Sequence, residues 1–482
     1  GGVLTYTSNA GFTGNETFTY KANDGTSDSN TGSITINVIE KESSLNWSNN
    51  YATTSALNYT ERDSEGNFYS GGSFYDYSNF KDNTSLNANY SNGNYDGYVA
   101  KYNENGDLLW SNTFGGVYYD LVENFKVDND GDVIVSGSIT KTAIFSDGEE
   151  LGDINTSLNY RYGVILKLDG NTGELLWKTY TGLRTDEGGN EGNSILIKNN
   201  GTIISFISNW VWSNNSDLIY IHEVDPTNGS MNLMLEENDG LYQVRDITLD
   251  NNDNIYVSGN NYTYNGNSPY VGFIRKYSSN YNQEWSVNLE GNDPVIYSVA
   301  HDAVNNLIYV SGKGTGLNYN PLGEAYTVTN PDSDGSFFAS YNTEGILQFA
   351  HVFANSSLNR TSNVRLKIIE NRLLVSGEVR YYPDLDVTSE QFYPVQNYNQ
   401  SGGEFLTIYG LEGGLELNGL YFFNRMRYSN IFLNGNNLIR AYQYSDDDSK
   451  LFGYNDEQLV SLTNISVRND GSFSSNLSGI TS

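Results

Sequence analysis

Along most of the chain, a polar turn gives way to a short apolar run that halts on a small residue. Asp128-Asn129-Asp130-Gly131-Asp132 leads into Val133-Ile134-Val135-Ser136-Gly137, and Asp250-Asn251-Asn252-Asp253-Asn254 leads into Ile255-Tyr256-Val257-Ser258-Gly259. The same phase recurs at Phe68-Tyr69-Ser70-Gly71, Ile203-Ile204-Ser205, Ile308-Tyr309-Val310-Ser311-Gly312, Leu373-Leu374-Val375-Ser376-Gly377 and Leu438-Ile439-Arg440-Ala441, which makes seven copies. Runs this short, rich in Val, Ile and Tyr, predict strands. Because they are apolar on both faces, each is expected to lie between two neighbouring layers. The closing Ser-Gly suits crowding or a sharp turn.

A strand–turn–strand signature follows each run. The clearest is Asp96-Gly97-Tyr98-Val99-Ala100-Lys101-Tyr102-Asn103-Glu104-Asn105-Gly106-Asp107-Leu108-Leu109-Trp110. Its counterparts centre on Asn171-Thr172-Gly173, Thr227-Asn228-Gly229, Ser279-Asn280-Tyr281, Thr343-Glu344-Gly345, Glu412-Gly413-Gly414 and Asn469-Asp470-Gly471. Asn-Gly and its relatives accept the positive φ of tight hairpins. Seven copies of a four-strand unit, spaced by roughly 50–70 residues, predict a seven-bladed β-propeller over residues 45–482. Trp110, Trp177 and Trp285 close equivalent hairpins, and Phe349 takes that place in another unit. An aromatic at one fixed phase predicts packing between neighbouring units. Leu45–Asn50 has the pattern of the outer strand Leu108–Thr113, and Ser472–Leu477 is a weaker version. One of the two is expected to complete the last unit.

Residues 1–40 alternate as strands but lack the repeated phrase. Leu4–Thr7, Glu16–Tyr20 and Ser33–Val38 are separated by turns at Asn9-Ala10-Gly11, Asn23-Asp24-Gly25 and Asn30-Thr31-Gly32. Asn9-Ala10-Gly11-Phe12-Thr13-Gly14, Thr17-Phe18-Thr19-Tyr20, Asn23-Asp24-Gly25 and Ile34–Val38 resemble the C-terminal half of a bacterial cadherin-like repeat. Such repeats stand in tandem in large surface adhesins and in some virion proteins. Residues 41–44 read as a polar linker. The expected fold class is therefore all-β, a seven-bladed β-propeller preceded by a partial cadherin-like or Ig-like β-sandwich segment. The missing early strands and the start at Gly1 suggest a fragment of a longer precursor.

Two further resemblances come from the repeats. Asp96–Tyr102 through Trp110-Ser111-Asn112-Thr113-Phe114-Gly115-Gly116 is similar to the bacterial SBBP-type propeller repeat, as is Leu317–Gly323 leading to Gly335–Tyr341. That family implies a fold and an extracellular setting rather than a reaction. Leu168-Asp169-Gly170-Asn171-Thr172-Gly173-Glu174-Leu175-Leu176-Trp177-Lys178 resembles a repeat of the quinoprotein propellers. With no cysteine in the chain, the adjacent cysteine pair of quinoprotein alcohol dehydrogenases has no counterpart.

Composition narrows the partners. The chain has 482 residues, with 58 acidic against 26 basic ones and a net charge of −32. Such a field repels nucleic acid and anionic membranes. No apolar stretch reaches the roughly 20 residues of a membrane helix. Without cysteine, disulfides, Cys-based metal sites and thiol nucleophiles are excluded.

Candidate chemistry is sparse. Asp128, Asp130 and Asp132 place carboxylates on alternate residues of a Gly-containing turn, a spacing that can wrap part of the shell of a calcium ion. Asp250 and Asn252 form a weaker version, and Asp332, Asp334 and Asp446–Asp448 mark other acidic loops. The alternative for each is a hairpin turn capped by its own Asp or Asn. Trp210 and Trp212 share one face of a strand, and as an exposed pair they are candidates to hold a glycan ring or a protein partner. His222, His301 and His351 fall at different phases, and no catalytic set stands out among the carboxylates. The expectation is a non-catalytic extracellular binding or display module in a large cell-surface adhesin, with a protein or glycan ligand and calcium. One alternative is a virion fibre or decoration protein of the same architecture. The other is a secreted carbohydrate-active enzyme using carboxylates in the propeller channel. Clustered Asp, Glu, Tyr and His in the central funnel would favour the enzyme.

Overall fold

The computed structural model describes residues 14–20, 26–27, 32–38, 45–50, 55–75, 77–78, 89–90, 94–103, 107–152, 161–185, 190–211, 216–237, 242–261, 271–327, 335–353, 360–369, 372–380, 403–411, 415–422, 426–434, 437–444 and 448–455. Among these residues the protein is all-β and contains no helix. Gly14–Tyr20 pairs antiparallel with Gly32–Val38, with Phe18 opposite Ile34. The rest builds seven four-stranded antiparallel sheets in succession, with two small two-stranded pairs, Tyr77–Ser78 with Asn89–Tyr90 and Thr142–Ile144 with Glu150–Gly152. The strands that open the seven sheets are Ser55–Arg62, Leu121–Val127, Asn190–Ile197, Tyr242–Leu249, Asn292–Asp302, Arg360–Ile369 and Met426–Asn434. Each opening strand from the first to the fifth adjoins the next, and Met426–Asn434 adjoins Ser55–Arg62. Leu45–Asn50 pairs with Asp448–Asn455 and so supplies the fourth strand of the seventh sheet. The hairpin expected at 469–471 and the strand at 472–477 lie outside the described residues.

The repeated apolar run is the second strand of each sheet. Val133–Thr140 is buried along its whole length, as sandwiching between neighbours requires. Phe125, Val135 and Leu166 of the second sheet pack with Tyr69, Val99, Trp110 and Phe114 of the first. Fully burying a side chain of this size contributes about 1.5–3 kcal/mol, so each seam from the first sheet to the sixth is a core in its own right.

The repeated tryptophans close those seams. Trp110 Nε1 donates to Gly170 O at 3.1 Å, Trp177 Nε1 to Pro226 O at 3.0 Å and Trp285 Nε1 to Thr343 O at 2.9 Å. Each acceptor lies in the turn between the third and fourth strands of the following sheet. Gly173 sits in that turn at φ +73°, and a Cβ there would stand 2.6 Å from the Trp110 ring. The turn therefore needs glycine both for its backbone conformation and for the approach of the indole.

The small residue that ends the apolar run answers to crowding rather than to a turn. Each opening strand carries a register shift near its middle, for example between Val122 and Asn124 and between Val244 and Asp246. A Cβ on Gly137 would stand 2.5 Å from Leu121 O. The bulge and the Ser-Gly signature are thus two sides of one feature.

Candidate active site between the opening strands

The bulges place one residue of every sheet at an equivalent position, opposite the end of the apolar run. These residues are Tyr59, Asn124, Ser194, Asp246, Ser298, Arg365 and Asn430, facing Gly71, Ser136, Phe206, Ser258, Ser311, Ser376 and Ala441. All seven are polar. In the first six sheets the residues one step on, from Thr60 and Phe125 to Ile247 and Leu366, are buried. Two steps on come Glu61, Lys126 and Lys367, which by strand alternation share the face of Tyr59, Asn124 and Arg365.

Several of these side chains interact from one sheet to another. Lys126 Nζ lies 2.9 Å from Glu61 Oε2 and donates to the Tyr59 hydroxyl at 2.8 Å, joining the second sheet to the first. Asp246 Oδ2 accepts from Ser298 Oγ at 2.8 Å and from Val299 N at 3.0 Å, joining the fourth sheet to the fifth. Longer-range electrostatic coupling links sheets that are not neighbours: Tyr59 to Asp246, Glu61 to Lys367 and Asp246 to Arg365. Such coupling requires the opening strands to face one another. Protein surrounds Glu61 and Lys126, yet their side chains keep 20% and 32% of their surface accessible to water. Groups that are enclosed but wet line an interior space.

That space drives the two carboxyl groups apart. Burial pushes Asp246 above the ordinary carboxylate range, against hydrogen bonds from Val299 and Ser298 and the charge of Arg365. Burial also pushes Glu61 upward, but Lys126 and Lys367 overcome it and hold the carboxyl below its ordinary value. Burial pulls Lys126 down, yet Glu61 and Tyr59 outweigh it and keep the ammonium charged. For Lys367 burial wins: with Lys126 adding to it and Glu61 opposing, the amine falls to about 8. Two carboxyl groups pushed in opposite directions, on different sheets, are the elements of acid–base chemistry.

None of these residues stands out among the 58 acids and 26 bases of the sequence. The signal that could have found them is the register: a polar residue opposite the end of every apolar run, charged in the fourth and sixth repeats.

The residues singled out as metal ligands cap turns. Asp128 Oδ1 accepts from the backbone N–H groups of Asp130 and Asp132 at 3.0 and 2.9 Å. Lys167 Nζ sits 2.9 Å from Asp128 and 3.1 Å from Asp132, so the cation these two hold here is an ammonium. Asp250 Oδ1 accepts from the N–H groups of Asn252 and Asn254 at 2.8 and 2.9 Å. Asn252 enters this cap through its backbone. Among the described residues, no three His, Asp or Glu side chains are placed to hold a metal ion. The third sheet keeps the device with its charges exchanged: Lys198 stands at the turn and pairs with Glu223 at 3.0 Å. Trp212, Asp332, Asp334, Asp446 and Asp447 lie outside the described residues, as does the side chain of Trp210.

A family profile described as Bacterial Ig domain matches residues 1–37. No curated protein sequence matches the chain. Among solved structures, the chain is similar to the β-propeller domain of the Trilobed protease from Pyrococcus furiosus. The two are 7% identical with a TM-score of 0.43, covering 84% of this chain and 94% of that one. It is also similar to the polysaccharide lyase Uly1, at 7% identity and a TM-score of 0.43, covering 83% and 89% of the two chains. An α-L-arabinanase from Penicillium chrysogenum, complexed with arabinobiose, is 11% identical with a TM-score of 0.40, covering 71% and 94%. The expectation of a non-catalytic adhesin module without enzyme activity is corrected here. Carbohydrate-cleaving proteins stand among the structures this chain resembles.

Proposed function

We propose that the seven sheets close into a propeller of SBBP-type repeats whose axis holds a glycan-cleaving site, acting outside the cell beside the Ig-like segment. The observation that carries the proposal is the pair Glu61 and Asp246, brought from the first and fourth sheets to one interior space and pushed to opposite sides of the ordinary carboxylate range. Asp246, the carboxyl that burial raises, is the acid that protonates the leaving glycosidic oxygen. Glu61, ionised beside Lys126, supplies the opposing carboxylate. It either attacks the sugar directly or draws the proton from an attacking water, and the anomer released tells which. Ser298 and Val299 N fix the Asp246 carboxyl, and Tyr59 fixes the Lys126 ammonium.

The test is release of reducing ends from a panel of neutral and acidic polysaccharides. Asp246→Asn and Glu61→Gln are each expected to lose about 10²–10⁴-fold in kcat, the usual worth of a positioned acid or base. Turnover that survives both substitutions refutes the assignment.

A further inference from the structure

We infer that Tyr75, Tyr95 and Tyr119 form a stacking platform for a glycan chain, a binding subsite at the end of the sheets opposite the Asp128 cap. This rests on the glycan-cleaving reading and adds to it the place where the chain is held away from the point of cleavage. Tyr95 and Tyr119 stack with ring centroids 5.0 Å apart and planes at 16°. Tyr75 lies against Tyr95 at 5.4 Å. The three rings make one row from the first sheet to the second. Tyr75 follows the second strand of the first sheet, Phe68–Phe74, and Tyr95 precedes the third, Asp96–Tyr102. Tyr119 stands just before Leu121–Val127, the opening strand of the second sheet. The row therefore runs inward, toward the strand that carries Asn124 and Lys126. From Tyr119 to Lys126 the chain can span about 20–25 Å when extended, the length of a short oligosaccharide.

The row is open and fixed at once. Tyr75 keeps 43% of its surface exposed and Tyr119 keeps 45%. Beneath them lies Asp120, fully buried, whose N–H donates to Tyr95 O at 2.7 Å. Its carboxyl oxygens accept from Gly116 N at 2.7 Å and from Thr140 N at 2.8 Å. Thr140 Oγ1 in turn donates to Tyr119 O at 2.6 Å. Tyr95 and Tyr119 are thus tied to one buried network, and rings held this way lose little freedom when a ligand arrives. Tyr118 is different: Lys141 Nζ stands 5.1 Å from its ring centroid and occupies that ring with a cation. A tyrosine offers an apolar face and a polar tip, which match the C–H face and the hydroxyl rim of a sugar ring. Three partly exposed rings present roughly 300 Å², a strip suited to a single polymer chain. That is well short of the ~800 Å² per partner in a stable protein interface.

The experiment is affinity electrophoresis of the whole chain in gels containing xylan, arabinan, mannan, pectate or alginate, run beside the cleavage assay. At least one polysaccharide is expected to retard the unmodified protein. Its affinity should fall about tenfold in Tyr119→Ala, a difference of about 1.4 kcal/mol, and fall in Tyr75→Ala as well. Tyr119→Phe, which keeps the ring, should retain most of the binding. In the cleavage assay Tyr119→Ala should raise KM for long chains. Affinity of the unmodified protein should also climb with the length of oligosaccharides cut from the retarding polymer. Affinity that ignores length overturns the inference, and this arm needs no variant to fold. Cleavage with retardation and KM unchanged in Tyr75→Ala and Tyr119→Ala sinks the platform and spares the enzyme. Retardation that depends on Tyr119, without cleavage of any polymer, sinks the enzyme and spares the platform. Neither retardation nor cleavage overturns both. Self-association that disappears in Tyr119→Ala, followed by sedimentation, would make the row an interface between copies and overturn the inference.

Discussion

Gly170 O accepts two donors from the preceding sheet, Lys101 Nζ at 2.8 Å and Trp110 Nε1 at 3.1 Å, and Gly170 itself is buried. This arrangement predicts a specific failure of additivity. Trp110→Phe leaves the carbonyl bonded to Lys101, and Lys101→Met leaves it bonded to Trp110. Each single change removes one hydrogen bond, about 0.5–1.5 kcal/mol net. Trp110→Phe also loses part of a ring that is 7% exposed, and Lys101→Met loses the ion pair to Asp63 at 3.4 Å. Those extra losses recur unchanged in the double variant and cancel in the cycle. What the double variant alone creates is a buried carbonyl with neither donor, at about 1–3 kcal/mol. A coupling of about 1–2 kcal/mol is therefore expected, with the double variant less stable than the sum of the singles. Urea unfolding followed by far-ultraviolet circular dichroism on the four proteins measures it, as shifts in midpoint at a common slope. Additivity within about 0.5 kcal/mol would refute the claim that these two side chains close the seam through one carbonyl.

Other consequences follow from the same seams and from the interior site. Gly173→Ala should destabilise by about 1–3 kcal/mol in the same assay, because its φ of +73° and the Trp110 ring both exclude a Cβ. Lys198→Asp should destabilise by setting two acids together, and adding Glu223→Lys should recover much of the loss by recreating the Asp128–Lys167 pair of the second sheet; a double variant no better than the single would contradict this. Lys367 has its amine depressed to about 8 from an ordinary 10.5. Between those values the unfolded chain holds a proton that the folded chain has released, so this group makes stability rise with pH across that window. Melting temperatures of the parent and Lys367→Met, compared from pH 7.5 to 10.5, should lose that rise in the variant.

The fold was largely legible because its determinants are local. The Asp128 and Asp250 caps, the positive-φ Gly173 and the all-apolar Val133–Val135 run each follow from a few adjacent residues, and each recurs. The bulges were not legible: Ser136-Gly137 announces crowding, but the carbonyl that crowds it belongs to Leu121 on the preceding strand. The interior site was hidden for the same reason on a larger scale. Tyr59, Lys126, Asp246 and Arg365 belong to four different repeats, and only the apposition of opening strands makes one cluster of them. The alternate acids of Asp128–Asp132, by contrast, caught attention through spacing alone, although their oxygens are engaged by backbone N–H groups and Lys167.

The most direct test of the central claim is a structure of Glu61→Gln determined with an oligosaccharide that the parent protein cleaves. A glycosidic oxygen within hydrogen-bond reach of the Asp246 carboxyl, with residue 61 across the sugar ring from it, is the predicted result. An oligosaccharide bound elsewhere, with the space between the opening strands left to water, would contradict the assignment of that space as the active site.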